Sequence, residues 1–219
     1  MNVLVLGSTG FIGKSLINRL KNDPSPVTGV IYNVASHGGS LHYVKEFAAS
    51  VYSDNLQMGL NLYRALDEIG STAKVVQPFS NCSYPGNSSV QNEENWLNGA
   101  VHPSIFSFGN SKRSLYYLSK CYKEQHGIST AMVQATSFED MEYPVNIGQE
   151  KGYSIAESAQ LIKKACGFEG EIVFDTKYPD GDAVKILGNS KLNDILPDFK
   201  FFDHEQGILN TVKYYEDKI

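Results

Sequence analysis

Apolar residues fill Val3, Leu4, Val5 and Leu6 without interruption and run into Gly7, Gly10 and Gly13, three glycines spaced by three. This pattern predicts a buried strand, a tight turn and then a helix over Lys14 to Lys21. Asn22-Asp23-Pro24-Ser25-Pro26 is a turn by composition, and Gly29 to Ala35 reads as a second buried strand. Apolar positions at Leu56, Leu60, Tyr63, Leu66 and Ile69 mark one face of a helix over about Asp54 to Ile69. A strand over Lys74 to Phe79 follows, then a long polar loop from Asn81 to about Phe106, a helix from about Asn110 to Gly127 and a strand over Ser129 to Ala135. Strands alternating with helices predict an α/β fold, a Rossmann-like parallel sheet with helices on both faces.

The pattern changes after Pro144. Val145 to Gly148 reads as a short strand, and Ser154 to Gly167 as a helix whose cap, Ser154, has Glu157 three residues on. Glu171 to Phe174 reads as another strand, and Ser190 to Ile195 and Glu205 to Glu216 as helices. The expected organisation is a dinucleotide-binding domain over residues 1–143 and a small α+β appendage over residues 144–219.

The glycine turn carries the first functional reading. Gly7 lets the chain reverse off the strand, Gly10 lets backbone N–H groups approach a diphosphate, and Gly13 lets the helix pack close to the sheet. Ser8, Thr9, Phe11 and Ile12 complete the loop, and the phosphates would sit on the helix N-terminus. A glycine triplet alone is a weak signal, but here it follows an apolar run and opens a helix.

Composition narrows the class. The 219 residues are 42% hydrophobic and 20% charged, which supplies a sizeable core. A net charge of −5 without a run of Lys or Arg gives no electrostatic reason to expect nucleic acid or a membrane surface. No apolar run reaches the ~18 residues that span a bilayer. The three cysteines, Cys82, Cys121 and Cys166, lack metal-ligand spacing; an odd count without a signal peptide points to a reducing cytoplasm. His42, His102, His126 and His204 stand apart, so no metal site is expected.

Further motifs fall in a recognisable order: Val34-Ala35-Ser36-His37-Gly38-Gly39 after the second strand, Ser80-Asn81-Cys82-Ser83-Tyr84-Pro85, Phe108-Gly109-Asn110-Ser111-Lys112, Val145-Asn146-Ile147-Gly148, and Tyr178-Pro179-Asp180-Gly181 with Lys185. With the glycine turn, these make the chain resemble the extended short-chain dehydrogenase/reductases, the NAD-dependent epimerase/dehydratase group. The resemblance is greatest to their GDP-L-fucose synthase branch, which comprises NADP-dependent epimerase/reductases of nucleotide sugars. It covers nearly the whole length. It implies NADP or NAD as cofactor, held by Gly7 to Gly13, by Val34, Ala35 and Ser36 and by Lys112, and a nucleotide sugar, GDP-linked, as substrate. It also implies catalytic roles for Ser80, Cys82 and Lys112, with His37, Gly38, Tyr84 and Lys185 on the substrate side. In such proteins a serine and a tyrosine with a lysine four residues later share the proton transfer, the ammonium favouring the phenolate. Ser80 takes the serine position, Lys112 the lysine position, and Cys82 that of a cysteine assisting epimerisation.

Departures from the family pattern matter as much. Phe108 occupies the tyrosine position and carries no ionisable hydroxyl, and acid–base assistance is worth about 10²–10⁴-fold in rate. Weak or altered activity is therefore expected, with Tyr84, Cys82 or water replacing the phenol; the alternative is a non-catalytic relative that binds a dinucleotide or a partner. Tyr116 and Lys120 repeat the spacing but stand about two helical turns, roughly 12 Å, further along, and read as a helix surface pair. Between Lys21 and Gly29 there is room only for a turn, where the family places a strand, helix and strand that end at the ribose-reading residue. Ala135-Thr136-Ser137-Phe138-Glu139-Asp140 departs from the family segment lining the nicotinamide, and the chain skips a long stretch across Met141 to Pro144.

Four readings stay two-sided. Asn55 matches a family asparagine near the active site, or is a polar residue early in a helix. Lys185 either contacts a diphosphate or is a solvated turn lysine. His37 either lines the cofactor cleft or is an ordinary loop histidine. Leu115, Leu118 and Tyr122 form either a homodimer face or core. Cys121 and Cys166 fall on apolar faces of the expected helices and read as core.

Overall fold

Five parallel strands in the order β1-β2-β3-β5-β6 form the main sheet: β1 (Val3–Leu6), β2 (Val30–Asn33), β3 (Lys74–Pro78), β5 (Thr130–Gln134) and β6 (Val145–Asn146). The computed structural model describes residues 3–22, 29–86, 90–134, 145–177 and 183–216. A second, two-stranded parallel pair joins β4 (Val90–Gln91) to β7 (Ile186–Leu187). The helices are α1 (Phe11–Asn22), α2 (Leu41–Glu46), α3 (Ala48–Glu68), α4 (Phe106–His126), α5 (Ile155–Ala165), α6 (Ser190–Ile195) and α7 (His204–Glu216).

The near-continuous apolar strands are explained by burial on both faces. Alternate side chains point to opposite sides. Ile31 and Val75 pack under Leu62, Tyr63 and Leu66 of α3, with Leu118 and Tyr122 of α4 against the same cluster. Val30, Tyr32 and Val76 face the other way, toward Leu16 and Leu20 of α1. A third cluster gathers Phe79, Tyr84, Trp96, Tyr116 and Met132, with Trp96 edge-on to both Phe79 and Tyr116.

The long loop after β3 carries three short 3-10 turns, at Asn81–Ser83, Glu93–Asn95 and Pro103–Ile105, and the strand β4. Arg113 of α4 pins it: Nε donates to the Ser83 carbonyl and the two terminal nitrogens to those of Gly99 and Trp96, each at 2.7 Å. Asn146, in the fifth strand of the main sheet, ties that strand to the long loop and to the residue after β7. Its backbone N–H donates to Glu93 Oε1 (2.9 Å), its side-chain nitrogen to the carbonyls of Gln91 and Gly188, and its Oδ1 accepts from the Tyr84 hydroxyl at 2.7 Å.

Several expectations are corrected. The second helix begins at Ala48 rather than Asp54, and a six-residue helix, α2, precedes it behind the cap Ser40, whose hydroxyl accepts from the Tyr43 N–H. Helix α4 begins at Phe106 rather than Asn110, which puts Phe108 and Lys112 on one continuous helix. Glu171 to Phe174 is not a strand: Val173 is 80% exposed, and a strand persists only against a partner edge, which no described residue supplies. Cys121 and Cys166 are exposed rather than core. Leu115 is buried, and Leu118 and Tyr122 pack on the α3 cluster, which makes them core within the chain. Tyr116 is buried beneath Trp96, and so is no surface residue. The Ser154–Glu157 cap is present in both directions. Asp23 to Ser25 and Pro26, Ala135 to Asp140, Met141 to Pro144 and Tyr178 to Gly181 lie outside the described residues.

Candidate functional site

The glycine turn sits at the C-terminal end of β1. Gly7 adopts φ +83°, and a side-chain carbon there would stand 2.7 Å from the Ala35 nitrogen, so only glycine lets the turn lie against the end of β2. A side chain at Gly13 would strike the Gly7 carbonyl, which fixes α1 tight under the turn. Gly10 N–H donates back to the Gly7 carbonyl at 3.1 Å. Thr9, Gly10, Phe11 and Ile12 are exposed and Ser8 half-buried, which leaves the amides at the start of α1 open. This cradle fits the diphosphate of a dinucleotide. Phe11 meets Tyr214 edge-on (5.5 Å) and lies parallel to Tyr215 (6.5 Å), so α7 reaches the turn.

From Ala35 the chain leads straight to the second part of the site. Lys112 is 6% exposed, and its ammonium donates to Ser36 Oγ at 3.0 Å and lies 5.2 Å from the Phe108 ring centre. Burial pushes its pKa down from 10.5 to about 8. Ser36 in turn donates to Asn55 Oδ1 at 3.0 Å, which also accepts the His37 N–H. Asn55 Nδ2 donates to the carbonyls of His37 and Val51, both at 2.6 Å. Buried Asn55 therefore clamps the strip Ser36–His37 to α3, which resolves its two readings toward a place beside the site.

Phe108 packs its ring on this strip, with Cε2 at 3.2 Å from where a Gly38 side chain would begin. On the other side, a side chain at Gly109 would strike the Cys82 carbonyl, so the Ser80–Cys82 turn abuts the start of α4. Ser80 Oγ accepts from the Cys82 N–H at 3.2 Å. The structure thus brings Lys112, Phe108, Ser36 and Gly38 together, sets the Cys82 backbone against Gly109 and places Gly7 against Ala35. Tyr84 is set apart, 1% exposed with its hydroxyl given to Asn146; burial raises its pKa, so it is not poised to replace a missing phenol. Lys185 precedes β7.

Sequence reasoning missed Tyr43 and Asp54. His37 Nε2 lies 2.8 Å from the Tyr43 hydroxyl, and Nδ1 lies 2.8 Å from Asp54 Oδ2. The signal was a histidine within six residues of a tyrosine, which is meaningless until α2 folds the tyrosine back. Among the described residues no group of three or more His, Cys, Asp or Glu could hold a metal, and no helix is long and apolar enough to cross a membrane.

A glycine turn on a parallel sheet, with a buried lysine behind it, defines a Rossmann-type nucleotide-binding protein. The pattern of the NAD dependent epimerase/dehydratase family matches residues 29–139, from β2 through α4 and β5. The chain is 22% identical to the GDP-L-fucose synthase of Dictyostelium discoideum over 87% of its own length and 78% of the relative's. It is 23% identical to a probable GDP-L-fucose synthase of Drosophila melanogaster, over 97% and 96%. The crystal structure of a GDP-L-fucose synthetase from Naegleria fowleri bound to NADP superposes with a TM-score of 0.82 at 20% identity, covering 98% of this chain and 94% of that one. The chain belongs to the NAD dependent epimerase/dehydratase family and is GDP-L-fucose synthase-like.

Proposed function

We propose that the protein binds NADP(H) or NAD(H) and is a divergent reductase/epimerase of a GDP-linked keto sugar, with weak or altered activity. The observation that carries this reading is the continuity of Gly7, Ala35, Ser36 and Lys112. The diphosphate cradle and a buried ammonium lie on two successive residues of one strip. The reduced cofactor, when bound, supplies hydride. Lys112 donates to the hydroxyls of the nicotinamide-side ribose, its ammonium already oriented by Ser36. Ser80 polarises the sugar carbonyl by a hydrogen bond from its hydroxyl while Oγ keeps the Cys82 N–H. Cys82 exchanges the proton at the carbon beside the carbonyl. We carry forward residues 1–143 as the cofactor-side unit and residues 144–219 as the substrate-side one, the latter bringing Lys185 toward the sugar nucleotide's phosphates.

One observation favours a second reading, a binding protein without turnover: Phe108 has no hydroxyl. A thermal-shift titration tests the common core of both. At a hundredfold excess over its Kd, NADPH or NADH raises the unfolding free energy by about 2.7 kcal/mol. An unmoved Tm with both nucleotides overturns the cofactor reading.

A further inference from the structure

Phe108 removes a phenol from the site, yet a phenol with a proton relay behind it stands on the same strip. Tyr43 and Phe108 pack against adjacent residues: a side chain at Gly39 would begin 2.6 Å from Tyr43 Cδ1, and one at Gly38 would begin 3.2 Å from Phe108 Cε2. Successive Cα atoms are 3.8 Å apart, so the two rings flank one short glycine step. The Tyr43 hydroxyl is hydrogen-bonded to His37 Nε2, and His37 Nδ1 faces the Asp54 carboxylate, each at 2.8 Å. Three elements converge on this row: the strip after β2, α2 and α3. The carboxylate can only accept, so Nδ1 carries a proton and the ring orientation is fixed. The His37 backbone is clamped by Asn55, and its neighbour Ser36 holds Lys112. The row is half-exposed, which leaves it open to substrate and to proton exchange with water.

We propose that Tyr43, backed by His37 and Asp54, is the proton donor that replaces the absent tyrosine hydroxyl at position 108. The proposal rests on the reductase reading above. In reduction, hydride from the reduced nicotinamide dinucleotide forms the new C–H bond at the carbonyl carbon, and the C=O pair becomes the alcohol oxygen. That oxygen takes the proton from Tyr43 Oη. The resulting phenolate is reprotonated through His37 Nε2, which relays a proton from solvent. Oxidation of the alcohol runs the same transfers in reverse. Tyr43 is thus a catalytic residue, and His37 and Asp54 are positioning residues acting through it. The titratable groups facing the imidazole are Tyr43 of α2, Asp54 of α3 and, one residue away at Ser36, Lys112 of α4.

The test uses the whole chain, with NADPH binding followed by nucleotide fluorescence and turnover followed on a GDP-linked 4-keto-6-deoxy hexose. Tyr43→Phe, which keeps the ring and its packing, is expected to leave the NADPH Kd within about twofold and to cut kcat by about 10²–10⁴-fold. Adding Phe108→Tyr to that variant restores at least tenfold. In His37→Gln, kcat falls at least tenfold with KM little changed. Asp54→Asn, which removes the carboxylate facing Nδ1, likewise lowers kcat at least tenfold with KM little changed. A Tyr43→Phe protein that turns over within threefold of the parent overturns the proposal. So does a parent that binds NADPH but reduces no keto sugar, or a His37→Gln or Asp54→Asn protein whose kcat stays within threefold of the parent's. A parent that binds no NADPH strikes down the reductase reading itself, and the proposal with it.

Discussion

Lys112 shows what the site costs the fold. The unfolded chain keeps this ammonium protonated up to about 10.5, whereas burial makes the folded protein release the proton near 8. Between those values the unfolded state binds more protons, so stability rises with pH; below 8 the full penalty of burying the charge, up to about 3 kcal/mol, is present. Lys112→Met should therefore raise the unfolding free energy at pH 7 by about 1–3 kcal/mol and flatten its rise between pH 8 and 10.5, while weakening cofactor binding; urea melts at pH 7 and pH 10 measure both effects. At this scale the sequence was uneven. Lys112 and Phe108 were legible because they sit in an ordered motif four residues apart. Tyr43 and Asp54 were not, because their meaning is a pair of contacts made through a histidine on another segment. Cys121 was misread because the buried face of α4 mixes Ser107, Gly109, Ser111, Lys112 and Ser119 with Leu115 and Tyr116, so that hydropathy marks it poorly, and residue 121 falls away from it.

The elements stand or fall on how the long loop and β7 meet the last strand of the main sheet. Asn146 is fully buried and spends its backbone N–H and both side-chain atoms on Glu93, Gln91, Gly188 and Tyr84. These partners come from the long loop and from the residue after β7, so one carboxamide joins segments that local pattern treats as separate. Asn146→Ala leaves several buried polar groups unpaired and should lower stability by about 3–5 kcal/mol; denaturant unfolding gives the number, and faster hydrogen exchange across β4 and β7 before the central strands shows where the loss falls. Helix existence was readable from apolar spacing at α3, α4 and α5. The starts of α3 and α4 were not, because the residues ahead of them, Phe47 and Ile105, offer no capping side chain, whereas Ser154 marked the start of α5. The paired strands β4 and β7 are two residues each, too short for any alternation to register.

As a whole, the molecule carries its phosphate cradle at the margin of its sheet. Strand order rises monotonically from β1 to β6, so among the described residues no strand lies beyond β1 to carry an adenosine-reading residue, and Leu4 is 50% exposed. That arrangement follows from the short span between Lys21 and Gly29, and is the part of the architecture most legible in the sequence. It predicts weak discrimination: the Kd values for NADPH and NADH, measured by calorimetry, should agree within about tenfold. The rings of Phe11, Tyr214 and Tyr215 close the other side of the cradle with the last helix. The practical corollary concerns purification handles. A fusion appended after α7 begins beside the aromatic clasp and crowds nucleotide entry, whereas one placed ahead of β1 departs from the opposite pole of that strand, roughly 10 Å away, and leaves the mouth clear.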